Sequence, residues 1–438
     1  MNGMTSRLIH LIRLNGYFCP MAWMLAALIF ISRLSAMVKL FMALYLRQEL
    51  GLAIETVGWL LSGYGAGLLI GSMGGGLLSD HFSTARLTAL LFFGSAWVLV
   101  LLGLVTEVPL LAGLLLISGA LDGAIRTLHQ RLIMEYCQVA QRVRAQSLSR
   151  VASNLGMAVA GAVGGVLAQT DFRWVFFVSA GMTLLALVWF IQATFHRDVL
   201  IRDEALNTPS GPSVTTRDKP FLWLLAASVV LGLAFEPVYS MLGNYLLDYY
   251  RLDNEAIGWQ FALNAVLVVL LQIPLSHWSE QWGARRQLMA GSVLLACGLG
   301  MLPLGSGIFY VCLSTTVWTL GEILFMPTLN VLVMQRAQAG KSGHYFGLFS
   351  MFWSASVLLS PTLGGQLYGH FGGHSVWFAS AALALFSIPL VYQATRLLGV
   401  GENELLPGDG DDDSTTKRTS TAIAKCKTQT KENPFSPD

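Results

Sequence analysis

Charge is what this sequence has least of. Of its 438 residues only 12% are Asp, Glu, Lys or Arg, while 54% are hydrophobic. Ordinary soluble cores could not hide that much apolar surface. The few charges are clustered and leave runs of roughly 20 residues almost free of them. At about 1.5 Å of rise per residue, a helix of that length matches a hydrocarbon core about 30 Å thick. Ten-residue alternating segments are lacking, which excludes a transmembrane β-barrel. The runs are therefore read as helices, the only open segments that satisfy their own backbone in lipid. The five cysteines, Cys19, Cys137, Cys297, Cys312 and Cys426, show neither metal-ligand nor disulfide spacing and read as packing residues. No phosphate-binding Gly-Lys-Ser/Thr loop occurs, which excludes an ATPase built into this chain. No convergent nucleophile–base or metal-ligand set is found, so no catalytic residue, metal, cofactor or nucleic-acid partner is expected. Arg7 and Arg13 precede the first apolar run and no small-residue cleavage site follows it, so that run is expected to stay as a helix.

Twelve membrane-spanning helices are predicted. The first six cover 18–46, 57–79, 87–105, 109–133, 151–169 and 174–194, and the second six cover 221–246, 257–276, 288–307, 309–333, 346–369 and 375–395. The implied organisation is an N-terminal half over 1–195, a polar linker over 196–220, a C-terminal half over 221–396 and a tail over 397–438. The tail, with Asp411, Asp412 and Asp413 followed by five Lys and Arg residues, is expected to be disordered. With the N-terminus inside, 21 of the 27 Lys and Arg residues fall in cytoplasmic segments and only Arg47, Arg173 and Arg251 fall outside. Both termini are therefore expected in the cytoplasm. The short loops suggest a bacterial inner membrane.

The chain also repeats itself. Tyr45-Leu46 returns as Tyr245-Leu246, Gly58-Trp59 as Gly258-Trp259, Ser79-Asp80 as Ser279-Glu280, Arg86 as Arg286 and Gly164-Gly165 as Gly364-Gly365, all at an offset of 200. An all-α membrane protein of two parallel six-helix halves follows, with a solute site expected between the halves near mid-membrane.

The segment after the second helix reads Gly76-Leu77-Leu78-Ser79-Asp80-His81-Phe82-Ser83-Thr84-Ala85-Arg86. It resembles the cytoplasmic signature of the major facilitator superfamily, with His81 and Ser83 where a basic residue and a glycine are usual. A second copy, Ser279-Glu280-Gln281-Trp282-Gly283-Ala284-Arg285-Arg286, regains the glycine and two arginines. The runs Ala160-Gly161-Ala162-Val163-Gly164-Gly165 and Ser360-Pro361-Thr362-Leu363-Gly364-Gly365 are similar to the glycine–proline motif of that family's drug–proton antiporters. The resemblance implies a monomeric, proton-coupled secondary transporter that exports small organic solutes. It also implies that Asp80, Arg86, Glu280, Arg285 and Arg286 are gating residues. An importer or dedicated exporter of one metabolite, and a non-transporting receptor or scaffold on the same fold, are the alternatives.

Six charges lie well inside helices: Arg33, Lys39, Asp122, Arg126, Glu236 and Glu322. Each costs at least about 2.5–3.5 kcal/mol to insert, so each is expected to face a cavity or a partner. Asp122 and Glu322 are 200 apart, equivalent in the two halves. Arg126 lies one turn beyond Asp122 and favours its charged form, so the pair reads either as a proton-coupling site or as a neutralised structural pair. Glu236 and Glu322 have no basic residue within four positions, and burial without a counter-ion favours a neutral carboxylic acid, as a proton carrier needs. They are the preferred coupling residues, with Arg33 the nearest candidate partner for either. Arg33, Lys39 and Arg126 are candidate substrate-cavity residues, although Lys39 could instead snorkel. Gly63, Gly67, Gly71 and Gly75 form a four-residue ladder on the second helix. The ladder, like Gly156, Gly161 and Gly165 on the fifth helix, reads as packing or as a smooth seam along which the halves rock, and Gly164, Pro361, Gly364 and Gly365 read as packing residues. A mostly apolar cavity carrying a few charges suits amphipathic organic solutes.

Overall fold

A computed structural model describes residues 20–137, 139–195, 218–336 and 342–399. The readings of residues 196–217 as linker and 400–438 as tail lie outside the described residues. The described residues form helices joined by short turns, with no strand among them.

In chain order the first half holds α1, in two pieces (Pro20–Leu34 and Met37–Gln48), α2 (Ile54–His81), α3 (Thr84–Leu104), α4 (Val108–Tyr136), α5 (Val139–Thr170) and α6 (Phe172–Phe195). The second holds α7, in three pieces (Lys219–Phe235, Pro237–Ser240 and Leu242–Tyr250), α8 (Asn254–Ser279), α9 (Gly283–Met301), α10 (Ile308–Arg336), α11 (Ser342–Phe371) and α12 (Gly373–Leu397). Nine stretches among the described residues are long and apolar enough to cross a membrane, and one of them, Asn254–Leu304, runs through two successive helices. Those stretches cover ten helices. The other two, α2 and α11, have 28 and 30 residues and are long enough to cross.

The two broken helices break at equivalent places for different reasons. In α7, Glu236 precedes Pro237, whose ring cannot continue the helical hydrogen bonding. At the break in α1 no proline is present. There the Ser32 and Ser35 hydroxyls donate to the carbonyls of Ile29 (3.3 Å) and Ser32 (2.6 Å), offering the backbone an alternative just before Ala36. Residues 36 and 236 are again 200 apart.

The main helix contacts of the first half have counterparts in the second: α1–α5 and α7–α11, α3–α6 and α9–α12, α2–α4 and α8–α10. Between the halves the main contacts are α2–α11 and α5–α8, which the repeat exchanges for each other. Large apolar side chains such as Trp59, Leu77, Trp97, Leu270, Ile273 and Phe386 stay exposed on the outside of this bundle. They form the surface that lipid covers. His81, Tyr136, Ser279 and Arg336, the last residues of α2, α4, α8 and α10, lie at one end with Phe195 and Asp218, called here the linker face. The turns that join the other helix ends lie at the far face.

A charged cavity between the halves as the candidate functional site

The two carboxylates 200 residues apart are held in the same way. The Tyr64 hydroxyl of α2 donates to Asp122 Oδ2 of α4 at 2.6 Å. In the second half, Asn264 Nδ2 of α8 donates to Glu322 Oε2 of α10 at 3.1 Å, and also to Thr319 Oγ1 at 3.0 Å. Positions 64 and 264 are equivalent, so helix two or eight presents a neutral donor to the carboxylate of helix four or ten. The symmetry fails one turn further on. Arg126 Nη2 lies 3.3 Å from Asp122 Oδ2, but the equivalent position in the second half is Met326. Asp122 thus has a cation and Glu322 has an amide.

Glu236 sits buried at the break in α7. Lys39 does not snorkel; its ammonium lies 4.6 Å from the centre of the Tyr239 ring, within electrostatic reach of Glu236 across the halves. Arg33 is not the partner of Glu236 or Glu322. It faces Asp122 and Arg126 within the first half, and its Nε is buried without a hydrogen bond. Five of the six charges predicted from the sequence therefore converge, as two groups: Arg33, Asp122 and Arg126 on one side, and Lys39 facing Glu236 across the middle. Glu322 stands apart from both.

Two cavities meet the charges of the first half. A pocket of about 120 Å³ within the first half is bordered by Arg33, Lys39, Tyr64, Asp122, Arg126 and His129. A larger cavity of about 570 Å³ lies between the halves towards the linker face, bordered by Arg33, Arg126 and Arg150 from one half and by Met326, Phe349 and Trp353 from the other. Arg150 escaped the sequence reading because α5 was begun at 151. The helix starts three turns earlier, at Val139, and carries Arg150 into the cavity wall. The polar 139–150 segment hides that continuation from any hydropathy argument.

The far face is closed. Arg47 Nη1 pairs with Asp248 Oδ2 at 2.5 Å, and the Tyr368 hydroxyl donates to the same carboxylate at 2.6 Å. Gln48 Nε2 donates to Asn254 Oδ1 at 3.1 Å, and Ser62 and Thr362 share a hydroxyl contact of 2.6 Å. Glycine permits this closure. Gly161 and Gly165 of α5 abut Gly258 of α8, and Gly58 of α2 abuts the Pro361 carbonyl and Gly365 of α11. A Cβ at Gly165 would lie 2.8 Å from the Asn254 carbonyl oxygen and 2.9 Å from Gly258 Cα.

The ladder on α2 has a different neighbour from a rocking seam. Gly67, Gly71 and Gly75 pack on α4 of the same half, against Leu116, Ala120 and Ala124, while Gly63 makes only ordinary contact near Ala112. Gly164 faces Met37 and Phe41 of α1, and Gly364 faces Met241 of α7, also within one half. Face by face, then, Gly161, Gly165, Pro361 and Gly365 belong to the seams, and the others to packing within a half.

At the linker face the proposed gating residues scatter. Arg86 and Arg286 are exposed, Glu280 pairs with His277 one turn earlier at 3.4 Å, and Arg285 donates to Thr395 Oγ1 at 3.1 Å and lies over the Tyr392 ring. The side chain of Asp80 lies outside the described residues. The sequence reading missed the pair beside it: Arg131 donates to Ser79 Oγ at 2.7 Å and to Glu135 Oε1 at 3.1 Å, and Thr84 Oγ1 donates to Glu135 at 2.6 Å. A spacing of four between Arg131 and Glu135 at the end of a helix was the available signal. In the second half Ser279 is held instead by Gln287 at 2.7 Å, whose amide oxygen accepts from Thr328 at 2.8 Å.

Comparison with known proteins now decides the family. The family model described as "Major Facilitator Superfamily" matches residues 24–253 and 224–404. The chain belongs to the major facilitator superfamily. Among curated relatives, it is 22% identical over 390 residues to the Bacillus subtilis (strain 168) "Uncharacterized MFS-type transporter YqjV", covering 86% of this chain and 94% of that protein. It is 25% identical over 362 residues to the "Multidrug resistance protein MdtH" of Photorhabdus laumondii subsp. laumondii, covering 76% of this chain and 86% of that one. Among solved structures, that of the nucleoside transporter NupG superposes with a TM-score of 0.69 at 14% identity, covering 87% of this chain and 100% of that one. At that identity the likeness shows the fold alone; the family match makes the chain a multi-pass membrane transporter and leaves the solute open.

Proposed function

We propose that this superfamily member is a proton-coupled exporter of small organic or amphipathic solutes in a bacterial inner membrane, working as a monomer with both termini in the cytoplasm. The observation that carries the reading is the unequal treatment of the two equivalent carboxylates. Asp122 is neutralised by Arg126, whereas Glu322 is held by the Asn264 amide with Met326 one turn away. An ionised Glu322 is tolerable while the residue stays half-buried, as it is here. Burying it fully as the halves rearrange costs at least about 2.5–3.5 kcal/mol, on the order of a hundredfold in population, unless it takes up a proton. Protonation thereby biases the protein between its two open states. Glu236, facing Lys39, is the second coupling candidate. Asp122 with Arg126 serves as a structural or coupling pair, and Arg33, Lys39 and Arg126 line the solute path.

The halves, residues 1–195 and 221–396, move as two bodies joined by the 196–220 linker. The far-face contacts at Arg47–Asp248 and the glycine seams hold one state, with the cavity open towards the cytoplasm. Asp80, Arg86, Glu280, Arg285 and Arg286, with Arg131 and Glu135, act at the other gate. Export is favoured by the relationship to proteins named for multidrug resistance.

The test is flux in proteoliposomes. Wild type, Glu322→Gln and Glu236→Gln are compared under an imposed pH gradient with labelled organic solutes. Gradient-driven flux lost in Glu322→Gln, with solute exchange retained, supports the assignment. Wild-type flux indifferent to the gradient, for a solute shown to be transported, overturns proton coupling.

A further inference from the structure

The larger cavity has two unlike walls. Arg33, Arg126 and Arg150 border it from the first half, and Met326, Phe349 and Trp353 from the second. Among the described residues that line it there is no Asp or Glu. Asp122 contacts Arg126 at 3.3 Å and faces Arg33, and Glu236 acts on Arg126 from across the halves. Arg126 Nε and Arg33 Nε are buried without hydrogen-bond partners. Arg150 stands exposed on the cavity wall. With Lys39 included, four cations are thus set against two carboxylates, Asp122 and Glu236, in a bundle where uncompensated charge is costly.

Such an arrangement is incomplete until something supplies negative charge. Guanidinium presents a planar fork of donors that matches carboxylate, sulfonate or phosphate with two parallel hydrogen bonds. Phe349 and Trp353 opposite offer flat apolar surface for a ring or an alkyl body. We propose that the transported solute is an amphipathic organic anion, its acidic head group bound by Arg33 and Arg150 and its apolar body resting on Phe349 and Trp353. The proposal rests on the transport reading of the same cavity and adds the solute's charge to it. A proton does not compete with an anion at the arginines. Exchange with protons is therefore enforced through the conformational preference set at Glu322, not by displacement within the site.

Binding tests this separately from coupling, at fixed pH and without a gradient. The purified full chain in phosphatidylcholine nanodiscs is titrated with two xanthene dyes of similar size and opposite charge, anionic fluorescein and cationic rhodamine 6G. Fluorescence anisotropy is read against empty discs. Fluorescein binds at least about tenfold tighter than rhodamine 6G, the worth of one charge-assisted hydrogen-bonded pair. Arg150→Gln and Arg33→Gln each weaken fluorescein about tenfold, while Arg150→Lys retains more affinity than Arg150→Gln. Arg150 is exposed, so its variants fold, which monodisperse size exclusion checks. Rhodamine 6G binding as tightly as fluorescein, or fluorescein affinity unchanged in Arg150→Gln, overturns the proposal. Discs containing phosphatidylglycerol separate a soluble anion from a lipid head group. Fluorescein affinity that survives there supports the soluble solute, and affinity lost there assigns the arginines to lipid and overturns it. Failure of this test leaves the gradient-driven flux at Glu322 untouched, and failure of that flux leaves this binding untouched.

Discussion

Replacing Gly165 with alanine should open the far face. In the closed state its added Cβ would lie 2.8 Å from the Asn254 carbonyl oxygen, 2.9 Å from Gly258 Cα and 3.1 Å from the Glu255 carbonyl oxygen, where ordinary contact is 3.4–4 Å. All three neighbours are backbone atoms of α8, so no side chain can rotate away. The helices must part by roughly half an ångström, and overpacking of this kind costs about 1–3 kcal/mol. That strain exists only while α5 and α8 are in contact, and it disappears when the halves separate at this face. The equilibrium between the two open states should therefore shift by about 5- to 150-fold towards the far-open state. Double electron–electron resonance reads the shift from spin labels at Glu107→Cys and Ser306→Cys, in a background with the native cysteines replaced. Both positions are exposed at the far face, one in each half. A longer distance population should grow in Gly165→Ala, and equally in Gly365→Ala at the exchanged seam. It should not grow in Gly113→Ala, where an added Cβ meets nothing within 4 Å. An unchanged distance distribution in Gly165→Ala would refute the claim that this glycine permits closure.

Further expectations concern the charges at the two faces. Arg47→Ala or Asp248→Asn removes the far-face ion pair and should raise the far-open population by a few-fold, about 1 kcal/mol for a half-buried pair. The charge-swapped double variant Arg47→Asp with Asp248→Arg should restore closure in the same resonance measurement. At the linker face Asp218 caps α7, accepting from Phe221 N at 3.2 Å while Arg336 and Tyr345 donate to it at 2.9 Å. Partial burial pushes its carboxyl up, but the Arg336 and Tyr345 hydrogen bonds outweigh that and hold it below the ordinary carboxylate range. A depressed value means stability that is present above about pH 4 and lost as pH falls through the folded value. Asp218→Asn, which can still cap, should lower Tm at pH 7. The difference from wild type should vanish in the acid range; a difference constant down to about pH 3 would contradict the ion-pair account.

Much of the site was legible because membrane insertion is expensive. Arg33, Lys39, Asp122, Arg126, Glu236 and Glu322 stand out as charges in apolar runs, and their burial inside the bundle follows from the cost of leaving any of them in lipid. The offset of 200 residues showed which positions are equivalent, including the contrast of Arg126 with Met326. Arg150 was not legible. It lies in a polar stretch that looks like a loop, and only the upstream start of α5 at Val139 turns it into the cavity. The glycine ladder shows the opposite limit. Gly67, Gly71 and Gly75 announce a close helix contact, but spacing alone cannot say that the neighbour is α4 of the same half.

Hydropathy, charge placement and repetition along the chain thus determined a membrane protein of twelve helices in two related halves, because lipid penalises charge and open backbone wherever the chain folds. Partner choice was decided only by tertiary structure: Lys39 facing Glu236, Asn264 holding Glu322, and Gly165 seated on Gly258. Such contacts join residues about 60 to 200 positions apart. They depend on how helices cross and rotate about their axes, which side-chain packing sets and local pattern does not encode.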